Sequence, residues 1–379
     1  MSYCLNPRCS KPENSGDVKF CLTCGSKLLL KERYRAIKPI GQGGFGRTFL
    51  AVDEDKPSKP RCVIKQFYPQ AQGTNTVQKA VELFNQEAVQ LDELGKHPQI
   101  PELLAYFTQD DRQYLVQEFI DGQNLAQELA HRGAFSEAEI WQLLNDLLPV
   151  LQFCHEREVI HRDIKPENII LRSSDRKLVV VDFGASKSVT GTALNRTGTS
   201  IGSPEYVAPE QMRGRAVFAS DIYSLGVTCI NLLTRRSPFD SYDTNNDTWI
   251  WQKYLQTPVS NPLSRILNKM LESIPMRRYQ TVDAVLKDLN QYSQAAVKPA
   301  IPAKPVPQPP PNSTPPFITQ SPSEIDRELE EMKTQFLGGN KAQQNKIQSP
   351  NSTSQSSSKS QIDRELEELK AKYLGNNNP

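Results

Sequence analysis

The chain has 379 residues, 37% hydrophobic and 23% charged, with a formal net charge of +2. That length suits one large domain with flanking segments, and the near-neutral balance gives no electrostatic case for a nucleic-acid or membrane-surface partner. No apolar run reaches the roughly 18 residues of a transmembrane candidate, and MSYCLNPRCS lacks the basic-then-apolar pattern of a signal peptide. A cytoplasmic, reducing location is therefore expected, where seven cysteines point to metal or reactivity before structural disulfides.

Residues 1–30 hold four of those cysteines, Cys4, Cys9, Cys21 and Cys24, spaced C-x4-C, eleven residues, then C-x2-C. Cys-Leu-Thr-Cys-Gly has the form of a zinc knuckle, with Gly25 easing the tight turn. A segment this short buries too little apolar surface to fold alone, so a cross-link is needed. In a reducing compartment a tetrahedral Cys4 site for a structural Zn2+ supplies one. The rival reading is a redox switch, in which the thiols pair as disulfides under oxidation. A nucleic-acid-binding zinc module is disfavoured, because the segment carries no dense basic or aromatic stripe.

From about Tyr34 to Tyr292 the pattern is globular. YRAIKPIG, RTFLAV and RCVIKQF read as strands. A glycine-rich turn, Gly41-Gln42-Gly43-Gly44-Phe45-Gly46, joins the first two. Such a turn brings backbone N–H groups close to phosphate oxygens. A Rossmann loop shares the spacing but would open a helix, whereas RTFLAVD continues as strand. Lys65 ends the apolar strand CVIK. The helical pattern VQKAVELFNQEAVQLDEL follows, with Glu87 on the same face as Leu83, Leu91 and Leu94. ELLAYFTQ and RQYLVQEFI are two further strands. Beyond Asp121 helices dominate, and Ser136 with Glu139 forms a capping box at the start of one of them. A strand-rich half before a helical half predicts a two-lobed α+β domain with a cleft between the lobes.

Phosphoryl transfer needs a phosphate cradle, a cation, divalent metal and a base that orients the attacking hydroxyl. His161-Arg162-Asp163-Ile164-Lys165-Pro166-Glu167-Asn168, followed by a strand and Asp182-Phe183-Gly184, offers the remaining parts. Asp163 can accept the hydroxyl proton, Lys165 can hold charge on the phosphoryl group, and Asn168 and Asp182 present hard oxygen ligands for Mg2+ or Mn2+.

Over roughly 260 residues these motifs, in this order, resemble the protein kinase superfamily. The resemblance implies the bilobal kinase fold, with ATP in the cleft. It makes Gly41, Gly43 and Gly46 the phosphate loop, Lys65 and Glu87 the phosphate-holding pair, Asp163 the base, Lys165 the catalytic-loop lysine, and Asn168 and Asp182 the metal ligands. Thr48 stands where the family usually has a valine against adenine. Ser203 replaces the usual threonine, still supplying a hydroxyl for Lys165 and Asp163. Ala208-Pro209-Glu210 matches the end of the activation segment, Asp221 the brace of the catalytic loop, and Arg278 the partner of Glu210. A more distant resemblance is to cyanobacterial serine/threonine kinases, which often begin with a cysteine-rich segment. A serine/threonine protein kinase acting on protein substrates in signal transduction is the reading. The alternative is a pseudokinase or ATP-binding scaffold. Arg162, beside the base, would pair with a phosphate added at Thr197, Thr199 or Ser200.

Residues 293–322 read as an extended proline-rich linker. The remaining 323–379 is polar and low in complexity, except for a repeat at 323–338 and 360–375. Ile325, Leu329, Met332 and Phe336, then Ile362, Leu366, Leu369 and Tyr373, have helical spacing. Each repeat stops at a glycine, Gly338 or Gly375. Short docking helices that fold against a partner or against the domain itself are expected.

Overall fold

The computed structural model describes residues 1–16, 18–43, 46–69, 74–185, 187–188 and 203–295. The linker beyond 295, both tail repeats, Thr197, Thr199 and Ser200 lie outside the described residues.

Strand β1 (Ser2–Tyr3) pairs with β2 (Glu13–Asn14), and β3 (Leu29–Leu30) leads into the main sheet. That sheet continues through β4 (Tyr34–Gly43), β5 (Gly46–Asp53), β6 (Arg61–Phe67), β7 (Leu103–Gln109) and β8 (Arg112–Glu118), with helix α1 (Thr74–Leu94) inserted after β6. The spatial order is β3-β4-β5-β6-β8-β7, and every pairing is antiparallel. The strands and the helix expected here all form.

Alternation along these strands gives the sheet two apolar faces. On one side Tyr34, Ala36, Phe49, Ala51, Cys62, Ile64, Tyr114 and Val116 form a small core. Leu5 and Leu30 belong to this core, and Tyr3 packs against it. On the other side Leu115 joins Phe84, Ala88, Leu91 and Leu94 of α1 in the large core. The cysteine-rich segment is therefore seated on the sheet rather than hinged ahead of it. Leu29 and Leu30 pair with Arg35 and Tyr34, and Arg35 donates to the Ser2 hydroxyl, the Val18 carbonyl and the Glu54 carboxylate. Burying Leu5 and Leu30 in a neighbour's core supplies apolar contact that thirty residues lack on their own.

The second lobe follows β9 (Gly122–Asn124), α2 (Leu125–Arg132) and α3 (Glu137–Glu156). Helix α3 starts with the reciprocal capping box of Ser136 and Glu139. Next come β10 (Val159–Ile160), β11 (Ile169–Arg172), β12 (Leu178–Val180), β13 (Lys187–Ser188) and α4 (Pro209–Met212). Helix α5 (Phe218–Thr234) is buried along nearly its whole length and packs against α3 and α6 (Asn261–Met270), while α7 (Val282–Ala295), running past Tyr292, packs against α3 and α6. A helix apolar on every side belongs inside a core, and α5 carries the second lobe's interior. No helix among the described residues is long and apolar enough to cross a membrane.

Candidate active site

Two clusters meet in the cleft. The first is built on β6, α1 and the loop after β12. Lys65 Nζ is hydrogen-bonded to Glu87 Oε1 and lies 2.9 Å from Asp182 Oδ1. Glu87 is buried because it shares the inward face of α1 with Leu83 and Leu91, while the Asp182 side chain remains half-exposed. Burial works against the Lys65 charge, but Asp182 and Glu87 together hold its pKa above the ordinary lysine value. The Lys65 ammonium brings the Asp182 carboxyl down to about 2. Burial pushes Glu87 up, against the pull of Lys65.

The second cluster is built on the loop between β10 and β11. Lys165 Nζ donates to Asp163 Oδ2 and to Ser203 Oγ, both at 2.7 Å. Ser203 donates to Asp163 Oδ1 from its backbone N–H (3.0 Å) and its hydroxyl (3.1 Å). Asn168 Nδ2 donates to the Asp163 carbonyl and to Asp163 Oδ2, each at 2.9 Å, which leaves its Oδ1 unspent by these bonds. The Asn168 carbonyl accepts from Val181 N–H at 2.9 Å, which ties this loop to the residue before Asp182.

The loop is held in a costly conformation. Arg162 has φ 69°, a left-handed backbone worth about 1–3 kcal/mol of strain in a non-glycine residue. Asp221, in the first turn of α5, offsets it by accepting the N–H groups of His161 (2.9 Å) and Arg162 (2.8 Å). His155 Nε2 lies 2.9 Å from the same carboxylate. Burial pushes His161 down, so it is neutral near pH 7. Its Nδ1 accepts from Asp163 N–H, and its Nε2–H points to the Val181 carbonyl at 3.2 Å. Further along, Arg278 holds Glu210 with both terminal nitrogens, at 2.7 and 3.2 Å.

The other sequence candidates fall as follows. Gly41, Gln42 and Gly43 end β4 and Gly46 opens β5, with Gly41 opposite Thr48 and Gly43 opposite Gly46. Thr48 is half-buried and directly opposite Lys65. Gly44 and Phe45 are outside the described residues. Sequence reasoning missed His155 against Asp221, Ser220 Oγ on Glu210 (2.6 Å) and Gln211 Nε2 on the Arg162 carbonyl (2.6 Å). Those partners are a hydroxyl, an amide and an imidazole on helices, types whose spacing carries no signal.

The protein kinase domain model matches residues 34–289. The chain belongs to the protein kinase family. It is 43% identical to serine/threonine-protein kinase B of Synechocystis sp. over 299 residues, 76% of this chain and 52% of that protein. It is 40% identical over 312 residues to serine/threonine-protein kinase PknA of Nostoc sp., covering 77% of this chain and 54% of that protein. With PrkC of Bacillus subtilis it shares 30% over 268 residues, 68% of this chain and 40% of that protein. The chain thus spans about half the length of the cyanobacterial relatives it matches. Membership of the family implies ATP and a divalent metal as cofactors.

A third cluster lies in the amino-terminal segment of the kinase. The sulfurs of Cys4, Cys9, Cys21 and Cys24 all lie within 4.8 Å of one another. Cys4–Cys24 and Cys9–Cys21 are both 3.6 Å apart, well beyond the roughly 2.05 Å of a disulfide. Tetrahedral zinc with Zn–S of about 2.3 Å spaces its sulfurs at roughly 3.8 Å, so the donor set fits that ion. The second pair sits on a turn closed by Gly25 N–H to the Cys21 carbonyl and Cys21 N–H to the Ser26 carbonyl, with Gly25 at φ 72°. Burial pushes the Cys21 thiol up, but N–H groups of Cys24 and Thr23 and the Asn14 amide outweigh it, leaving about 6. Burial pushes Cys4 well up.

Proposed function

We propose that the chain is a serine/threonine protein kinase that transfers the γ-phosphoryl group of ATP to hydroxyls of protein substrates in signal transduction. The observation that carries this reading is the shared hydrogen-bond set of Asp163, Lys165 and Ser203. A carboxylate that already accepts a hydroxyl hydrogen and touches an ammonium is arranged to orient a substrate Ser or Thr for in-line attack. In this reading Asp163 accepts the hydroxyl proton as the oxygen–phosphorus bond forms and the bond to the ADP oxygen breaks. Lys165 carries positive charge against the phosphoryl oxygens. The backbone of Gly41, Gln42, Gly43, Gly44, Phe45 and Gly46 cradles the phosphates, and Thr48 packs its methyl against the adenine. Glu87 holds Lys65 toward the phosphates. Asn168 through Oδ1 and Asp182 through its carboxylate are the ligands for Mg2+, which neutralises phosphate charge when bound.

The four cysteines are read as a structural Zn2+ site, supported by their sulfur spacing. Free thiols at such distances suit a reducing, cytoplasmic setting. The tail repeats remain proposed docking helices, and Arg162 the proposed partner of a phosphate on Thr197, Thr199 or Ser200.

The decisive experiment incubates purified chain with γ-labelled ATP, Mg2+ and a generic protein acceptor, then identifies the labelled amino acid. Phosphoserine and phosphothreonine are expected. Nucleotide binding without label transfer would overturn the enzyme reading in favour of a pseudokinase. Metal analysis of chelator-free protein tests the zinc site: about one zinc per chain, lost in Cys21→Ser/Cys24→Ser, is the expected result, and folded metal-free protein refutes it.

A further inference from the structure

We infer that Arg47 and Gln66 are positioning residues, through which the cysteine module fixes the glycine-loop hairpin and the strand that bears Lys65. Each neighbours a cleft residue in sequence while facing the opposite side of the sheet, since side chains alternate along a strand. Arg47 lies between Gly46 and Thr48, and Gln66 follows Lys65. Thr48 and Lys65 are paired across β5 and β6, and so are Arg47 and Gln66.

On the far face, both side chains converge on one atom of the module. The Leu5 carbonyl, next to Cys4, accepts from Arg47 Nη2 and from Gln66 Nε2, each at 2.9 Å. Arg47 also donates to Gln66 Oε1 from Nη2 (2.7 Å) and Nε (3.2 Å), and Gln66 Nε2 reaches Tyr114 Oη at 3.1 Å. Gln66 is completely buried, so its amide must be satisfied locally. The Arg47 guanidinium lies over the rings of Phe49 and Tyr68, at 5.3 and 5.4 Å from their centroids. Tyr3 of the module packs on Phe49, ring centroids 5.6 Å apart.

The link from Gln66 to the glycine loop is direct. A Cβ added to Gly46 would stand 2.1 Å from the Gln66 carbonyl oxygen, a distance no side chain tolerates. The last glycine of the loop is therefore pressed against the backbone whose side chain grips Leu5. If the module loosens, Gln66 loses a buried partner, Arg47 loses its carbonyl, and both strand segments lining the nucleotide cleft lose a constraint. Removing a charged donor leaves a buried acceptor unsatisfied, and the cleft feels whatever part of that loss orders the hairpin.

This inference rests on the kinase reading only for its ligand, so nucleotide affinity is measured separately from transfer. The full-length chain, Arg47→Met, Cys21→Ser/Cys24→Ser and the combined variant are titrated with a fluorescent ATP analogue and Mg2+. Kd is weakened about tenfold in Arg47→Met and in the cysteine variant. The combination is no weaker than either, because both remove the same linkage. At saturating ATP, kcat stays within about twofold, since no group near the transferring phosphoryl is touched. A merely structural role would instead lower the melting temperature without this split between KM and kcat. Amide hydrogen exchange across residues 41–48 reads the coupling without nucleotide, and faster exchange in both variants is expected. Should Arg47→Met fold poorly, Arg47→Lys keeps the charge but not the fork that spans Leu5 and Gln66, and carries the same expectation. Wild-type affinity and exchange in the cysteine variant, or effects that multiply in the combination, would overturn the proposal.

Discussion

Two of the buried carboxylate–cation arrangements among the described residues are finished differently. Glu210 and Arg278 form a closed set. The guanidinium is fully buried, both terminal nitrogens meet the carboxylate, and the remaining donors go to the Ala219 and Glu272 carbonyls. Glu210 also accepts from Ser220. Lys65, Glu87 and Asp182 form an open set, one ammonium between two carboxylates with the Asp182 side chain half-exposed at the cleft. The closed set satisfies every group internally and can only hold the second lobe together. The open set keeps charge at a solvent-accessible edge, where a phosphate and a cation have somewhere to go. A buried ion pair is weak evidence for stability in general, and the informative feature here is which pair retains unspent capacity.

That contrast can be broken most sharply at the reacting centre. Asp163→Asn is expected to lower phosphoryl transfer by about 10²–10⁴-fold, the range for loss of a general base, with a melting curve close to wild type. Near wild-type transfer by the folded variant would remove Asp163 from its proposed role. At the closed set the expected damage is to stability instead. Arg278→Ala strands Glu210 among buried groups and should cost about 3–5 kcal/mol in denaturant unfolding. The double replacement Glu210→Gln/Arg278→Met should recover much of it, because no uncompensated charge remains. A single mutant as stable as wild type would mean that the pair is dispensable.

The open set carries a pH signature. In Lys65→Met, buried Glu87 loses the ammonium that opposes its desolvation, so its already raised pKa rises further. A carboxyl with a raised folded pKa contributes stability that is present below its unfolded value and lost as pH climbs through the folded value. Thermal melts of Lys65→Met should therefore weaken from pH 5 toward pH 8, relative to the wild type at each pH. A parallel pH course in the two proteins would place Glu87 in a more solvated site than its burial indicates. Asp182, held near 2 in the wild type by the same ammonium, also moves up when Lys65 is replaced and shifts stability in the same direction. The smallest effect is expected at Ser203→Thr, which keeps the hydroxyl that bonds Lys165 and Asp163 and should change transfer by less than about threefold. Ser203→Ala, which removes it, should cost more, at about 0.5–1.5 kcal/mol for a lost hydrogen bond.

Much of the catalytic cleft was legible because its chemistry is concentrated in short stretches. From His161 to Asn168, eight consecutive residues hold the proposed base, lysine and amide ligand, and Asp182-Phe183-Gly184 follows two short strands later. Strand alternation and the helical spacing of Leu83, Glu87, Leu91 and Leu94 then determined which side chains face inward, since periods of 2 and 3.6 are properties of local backbone geometry. The glycine at position 46 was legible too, though only the fold gave its reason, a close approach to the Gln66 carbonyl.

The tertiary structure alone decided what covers the other face of the first sheet. Phe49 and Ala51 alternate with Leu50 and Val52, and Cys62 and Ile64 with Val63, a pattern apolar on both sides that requires cover on both. Helix α1 covers one face in part, at Leu115 and Phe67, and the cysteine segment covers the other, seated through Leu5, Leu30 and Tyr3. The sequence determined the four sulfurs and their pairing in spacing, but not that the module is built into the catalytic domain. The bonds that seat it run from Arg47 and Gln66 to the backbone carbonyl of Leu5, 42 and 61 residues away in the chain. A carbonyl is common to every residue and leaves no trace in the sequence, and contacts at such separations exist only once the sheet has brought their strands together.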